Sequence, residues 1–224
     1  MRVRVGHVRG WMIMLLCGAV GLGLAQWPLT TRQGINGTVF TTAIPLWVKG
    51  AEFLIRDHHQ RRLAREISAG ATTPQEKVMT IFHWTHRHIR PQPRSWPVID
   101  DHVYAVIVRG YGTADQSADV LTTLCAYAGI PATLMKLEDA AGQRLYLGVV
   151  RLNGRWCPLD PYHGVYFQDS AGALLSIEEL ANAPSRLVVG RRGALEPAID
   201  YAKFIRAGMP FQPPRVIRPY AHMP

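Results

Sequence analysis

Asn153-Gly154 stands between two β-rich apolar runs, Arg144 to Leu152 and Arg155 to Leu159. An Asn-Gly pair accepts the positive φ of a two-residue hairpin, so these runs must be antiparallel neighbours in one sheet. Thr133 to Leu137 reads as a further strand just upstream. Before the strands the apolar period is helical. Ile44 to Ser68 carries Leu46, Phe53, Leu54, Leu63 and Ile67, with His58-His59-Gln60 as a solvated interruption. Thr73-Pro74-Gln75-Glu76 has the spacing of a capping box and opens a second helix. Its Val78, Ile81, Phe82 and Trp84 face a core, and Pro91 ends the run. Helices first and an antiparallel sheet afterwards make the chain α+β rather than doubly wound.

The other segments follow from local chemistry. Residues 26–42 read as an irregular lead-in, in which Asn36-Gly37-Thr38 matches a glycosylation sequon but marks a turn. Residues 91–101 form a proline-rich loop, and Val103 to Val108 reads as a strand or extended segment. Arg109-Gly110-Tyr111-Gly112 is a glycine turn. Thr113 with Gln116 repeats the capping-box spacing and starts a helix through Ala128, which Gly129-Ile130-Pro131 stops. Ser176-Ile177-Glu178-Glu179 starts a short helix, and from about Ala207 a basic, proline-rich tail is extended.

At the N-terminus Arg2, Arg4 and Arg9 precede an uncharged stretch from Gly10 to Thr31. Gly23-Leu24-Ala25 suits signal cleavage, whereas Trp11 and Trp27 bracket a run of near-spanning length. Both readings export the rest of the chain: anchored in the inner membrane facing the periplasm or exterior, or secreted after cleavage near Ala25. The retained anchor is the preferred of the two. Of the formal charge of +9, these three arginines account for 3, leaving 9 − 3 = +6. The remaining basic residues are scattered, without an aromatic-interleaved stripe or a nucleic-acid motif, so nucleic acid is not an expected partner. The organisation read from the sequence is a signal or anchor at 1–27, a lead-in at 28–58, a folded domain at 59–185 and an extension at 186–224.

Four stretches resemble the transglutaminase-like superfamily of the papain-like fold. They are Glu66 to Trp84 with its Thr73-Pro74-Gln75-Glu76 start, Gly112 to Ala132 ending in Gly129-Ile130-Pro131-Ala132, the strand Leu145 to Leu152, and Trp156-Cys157-Pro158-Leu159-Asp160-Pro161. The resemblance implies a cysteine nucleophile at a helix start, an imidazole on a strand and a carboxylate on the next. The family's cysteine position, fifteen residues before Gly129, is Ala114, and its histidine position, eleven before Trp156, is Leu145. Only Asp160 remains. No shift of register restores the set, because no cysteine lies between Cys17 and Cys125 and no histidine between His102 and His163. Members of such a triad act as a unit, so losing two removes the covalent route.

The resemblance therefore implies a degenerate, non-catalytic member whose cleft binds without cleaving, with Asp115, Gln116, Trp156, Asp160, Tyr162 and His163 as candidate cleft residues. The amides at the Thr113 helix start would hold an anionic or carbonyl group. A peptide, a glycan or an envelope protein is the expected partner, in a system such as exopolysaccharide handling; the alternative occupant is none, in a filled scaffold. A second reading keeps an active hydrolase or acyltransferase with Cys157, Asp160 and His163 rewired. Cys125 reads as a buried small hydrophobe, and Cys125 with Cys157 can pair only in an oxidising compartment. His83, His86 and His88 lack a carboxylate or cysteine at ligand spacing, so no metal is expected, and no cofactor. Asp100-Asp101-His102 reads as a polar turn.

Overall fold

A computed structural model describes residues 4–35, 38–93, 95–97, 100–139, 141–182 and 199–213. Contacts divide the chain into two compact units, Met1–His58 and His59–Pro224. In the first, helix α1 (Arg4–Ala25) is followed by strands β1 (Pro28–Ile35) and β2 (Thr38–Pro45). These pair antiparallel from Pro28↔Pro45 to Ile35↔Thr38, so the expected irregular lead-in is a hairpin. Asn36 and Gly37 of the sequon lie outside the described residues. Helix α2 (Leu46–Ser68) begins in this unit, where the Lys49 ammonium donates to Thr31 at 2.8 Å. It runs unbroken through His58-His59-Gln60. The expected solvated interruption is absent there, and Gln60 is buried.

The second unit builds its core on two faces of one sheet. Helix α3 (Pro74–His88) starts as expected: the Thr73 hydroxyl accepts from Glu76 N, and Glu76 carboxylate oxygen accepts from Thr73 N. Strand β3 (Arg90–Pro91) follows. Val103 to Val108 is not a strand but part of helix α4 (Val103–Arg109). Its β-branched residues suit either state; the ends decide, because the His102 ring accepts from Tyr104 N at 3.1 Å and Gly110 takes φ 72° at the C-cap. Strand β4 (Tyr111–Gly112) then pairs in parallel with β3.

Helix α5 (Ala114–Tyr127) ends in paired bonds, Ile130 N to Cys125 O and Gly129 N to Ala126 O, which satisfy carbonyls the helix leaves open. Strands β5 (Ala132–Glu138), β6 (Arg144–Leu152), β7 (Arg155–Asp160) and β8 (Val165–Tyr166) form one antiparallel sheet in chain order. Asn153 and Gly154 hold φ 50° and 82° at the tight β6–β7 connection. Helices α6 (Ile177–Asn182) and α7 (Tyr201–Ala207) follow. The second of these was not expected from the sequence. The extension read at 186–224 is described only at 199–213.

Alternation along β6 explains the layering. Val150 and Leu152 join Val78, Phe82, Leu121 and Leu124 in a core under α3 and α5. Leu145, Leu147 and Val149 turn to the other face, among Phe167, Ile177, Phe204 and Ile205. The unit is thus mixed α and β, with helices on both faces of the sheet.

Candidate functional site

Strand β7 alternates as strictly as β6. Cys157 and Leu159 face the core under α5, while Asp160 faces the opposite core. There Asp160 is fully buried, and a buried carboxylate requires donors. It has three. Tyr201 Oη donates to Oδ2 at 2.8 Å, His163 Nδ1 lies 2.7 Å from the same oxygen, and His163 N donates to Oδ1 at 3.0 Å. A carboxylate accepts, so His163 Nδ1 is the donor of this bond. Half-exposed His163 is also met edge-on by the Tyr162 ring, 4.9 Å between centroids.

Behind this turn, Gly164 takes φ 68°, and a Cβ there would lie 2.7 Å from atoms of the His86 ring. The Pro161 carbonyl fixes that ring by accepting from His86 Nδ1 at 2.9 Å. The glycine is required twice, by its backbone and by its neighbour.

The other two family positions do not make a site with Asp160. Leu145 is 4% exposed in the core under α7. Ala114 opens α5, which packs on the opposite face of the sheet. A cleft reaching Leu145 and Asp160 is therefore closed by packing. Gln116, expected at a rim, is buried instead: its Oε1 accepts from Arg109 Nη2 at 2.8 Å and Thr113 N at 3.1 Å, and its Nε2 donates to Asp101 at 2.6 Å. Asp115 is half-buried and accepts from the Thr113 hydroxyl. Asp115 and Asp101 stand near Asp119, whose carboxyl is pushed up to about 6, first by burial and then by these two charges. Trp156 is half-buried against Phe211, 5.8 Å between ring centroids, with Arg151 over its face.

The rewired set is half assembled. Asp160 and His163 pair, but Cys157 lies three residues along the strand and faces the other way, 1% exposed, with its thiol against Leu174 O at 3.7 Å. Burial pushes that thiol up to about 11. Burial likewise pushes Cys125 far above its ordinary value. Both thiols are free. The α3 histidines take separate partners: His83 stands edge-on to Phe82 and Tyr166, His86 bonds Pro161 O, and His88 bonds Trp84 O at 2.9 Å. Among the described residues, no three His, Cys, Asp or Glu side chains are grouped to hold a metal ion.

Tyr201 is the residue that sequence reasoning missed. Its signal was present: Asp200 caps the helix by accepting from Lys203 N at 3.0 Å, and Tyr201, Phe204 and Ile205 follow at helical apolar spacing.

Three solved structures are similar in part. A proposed cysteine protease from Cytophaga hutchinsonii aligns at 17% identity and TM-score 0.41, over 47% of this chain and 37% of its own. A proposed protease from Parabacteroides distasonis aligns at 15% identity and TM-score 0.40, over 61% and 36%. A protein named as a TGase aligns at 15% identity and TM-score 0.40, over 59% and 43%. This chain spans less than half the length of each. No curated protein matches it. The model of the transglutaminase-like superfamily matches residues 61–161, from the second half of α2 to the residue after Asp160. Over residues 61–161 the chain is thus similar to a transglutaminase-like domain.

Proposed function

We propose that this domain has lost the covalent chemistry of its superfamily and serves as a binding or scaffolding part of the cell envelope. The observation that carries the reading is the fate of sulfur. The first residue of α5 is Ala114, and both cysteines of the folded unit are buried, free and raised in pKa by burial. A thiol held neutral at physiological pH is a poor nucleophile. The Asp160–His163 pair would orient a base, yet Cys157 faces away from it. This pairing is what remains in favour of a hydrolase or acyltransferase, and without a thiol on its side of the sheet it is the weaker reading.

Thiol labelling of the full chain separates the two. Native protein carrying Cys17→Ser should leave Cys125 and Cys157 unmodified until denaturant is added. Rapid native labelling of Cys157, with acyl transfer lost in Cys157→Ser, would reverse the assignment.

Export through the N-terminal segment belongs to the same proposal. Arg2, Arg4 and Arg9 come before an apolar run of α1 whose Trp11 to Leu16 side chains are exposed. Among the described residues no helix is long and apolar enough to cross a membrane. From Trp11 to the end of α1 at Ala25 the apolar helix measures about 22 Å, short of the ~30 Å hydrocarbon core. That length suits a signal sequence cleaved near Ala25 better than a retained anchor. The mass of the mature N-terminus in membrane and soluble fractions tests it: an intact Met1 in the membrane fraction favours the anchor.

A further inference from the structure

The β3–β4 pair leads into a corner that the superfamily's triad positions do not touch. Arg90 N donates to Gly110 O at 2.9 Å and Gln92 N to Gly112 O at 3.0 Å, so the chain leaves β3 in a fixed direction. It then folds back, with Trp96 N donating to Pro93 O at 3.0 Å and Gln92 Nε2 to Trp96 O at 2.8 Å. The result is a held but exposed indole: Trp96 is 51% exposed and meets Tyr111 edge-on, 5.0 Å between centroids at 77°. The two rings make a floor and a wall. They border a cavity of about 490 Å³, within the ~300–1,000 Å³ range of small-ligand sites.

The charged side chains that line this corner are basic. Arg90, Arg109 and His88 line it with prolines 91 and 93, and no carboxylate is among the lining side chains. Arg109 sits 5.4 Å over the Tyr111 ring, and its donors go to Tyr111 O, Asp100 O and Gln116 Oε1, with the Asp101 carboxylate one hydrogen bond further on at Gln116 Nε2, so the open charge of the corner is that of Arg90. The exposed Arg90 guanidinium has no ion pair or side-chain hydrogen bond among the described residues. His88 gives its Nδ1 proton to Trp84 O and stacks on Trp84 at 4.4 Å, so Nε2 is its open nitrogen.

From this corner we infer a binding site for an acidic glycan, with one uronic-acid unit over Trp96 and its carboxylate on Arg90. A pyranose presents a flat face of C–H groups that suits an indole, hydroxyls at its rim for His88 and backbone oxygens, and, in a uronate, a planar anion matched to a guanidinium fork. A nucleobase fits less well, because the rings stand at 77° and offer one face instead of a parallel pair. A proline-rich peptide would use the aromatic corner but leave the Arg90 guanidinium without a counter-charge. The inference goes beyond the non-catalytic reading and stands whether or not that reading holds.

Calorimetric titration of the full chain with a galacturonate tetramer, a neutral maltotetraose, oligothymidylate and a proline-rich peptide tests it. The uronate should bind, with Trp96→Ala and Arg90→Gln each weakening it at least about tenfold, while maltotetraose binds at least about tenfold more weakly. Both side chains are exposed, so both variants should melt with the parent protein, and Arg90→Lys should recover part of the loss. No uronate binding, equal binding of the neutral sugar, tighter binding of oligothymidylate or the peptide, or uronate binding indifferent to both variants would each overturn the assignment.

Discussion

Tyr201 donates its hydroxyl to the Asp160 carboxylate at 2.8 Å, joining the last described helix to the carboxylate that the resemblance sets at the family's third triad position. The acceptor is fully buried and the Tyr201 ring is packed against Phe167 at 5.2 Å between centroids. In this chain Asp160 is therefore held by an internal network, with its second oxygen given to the His163 backbone.

Tyr201→Phe keeps the ring and removes one donor from a buried charge. We expect a loss of about 1.5–3 kcal/mol in urea unfolding, the range for hydrogen bonds to charged groups. Asp160→Ala, which removes the acceptor shared by the Tyr201 hydroxyl, the His163 ring and the His163 backbone, should cost more. A Tyr201→Phe change within a few tenths of a kcal/mol would mean that the carboxylate is satisfied without Tyr201.

The family's chemistry should not be restorable at its own positions. Ala114→Cys places a thiol at the start of α5, and native labelling should gain one reactive site. Leu145→His cannot supply the imidazole, because that side chain points into the core of Leu137, Phe204 and Ile205. It should instead destabilise the protein by about 2–5 kcal/mol, as expected for a polar ring in an apolar site. Measurable amidase activity in the double variant, with unchanged stability, would contradict the orientation of Leu145.

Much of this is legible in the sequence, and the exceptions have physical reasons. The Thr73–Glu76 box and the Asn153-Gly154 turn were readable because capping and positive φ are local properties of a few residues. The α4 segment was misread because its β-branched run is ambiguous, and the deciding His102 cap is not a common capping residue. Strands β1 and β2 were missed although they converge on another Asn-Gly pair, since polar Thr30, Thr31, Arg32 and Gln33 obscure the alternation. The site was less legible than the fold. Which face Asp160 takes, and that Tyr201 meets it, depend on sheet register and on a contact across forty residues of chain.

Gly164→Ala offers a separate test of the turn that carries His163. The backbone strain of φ 68° and the clash with the His86 ring act together, and the expected cost is about 1–3 kcal/mol. Adding His86→Ala should recover the clash but not the strain, so the double-mutant cycle should show favourable coupling in thermal melts. Strict additivity would mean that the His86 ring can move aside freely.

Asp119 gives the pH dependence a sign. Its carboxyl holds a proton to about 6 in the folded chain against an ordinary value of 3.8, chiefly because it is buried and secondarily because Asp115 and Asp101 repel its charge. Between those two values the folded chain binds more protons than the unfolded chain. The contribution of this group to stability is thus fully present below about pH 4, lost as pH rises through about 6, and absent above. The full shift would correspond to about 3 kcal/mol, an upper bound because solvent reaches part of the group. Asp119→Asn removes the titration and the repulsion, so at pH 7 it should raise stability by about 1–2 kcal/mol and flatten the slope between pH 4 and 6. Denaturant melts of both proteins at pH 4, 5, 6 and 7 would decide it: parallel curves would mean that Asp119 titrates in the folded chain as it does in the unfolded one.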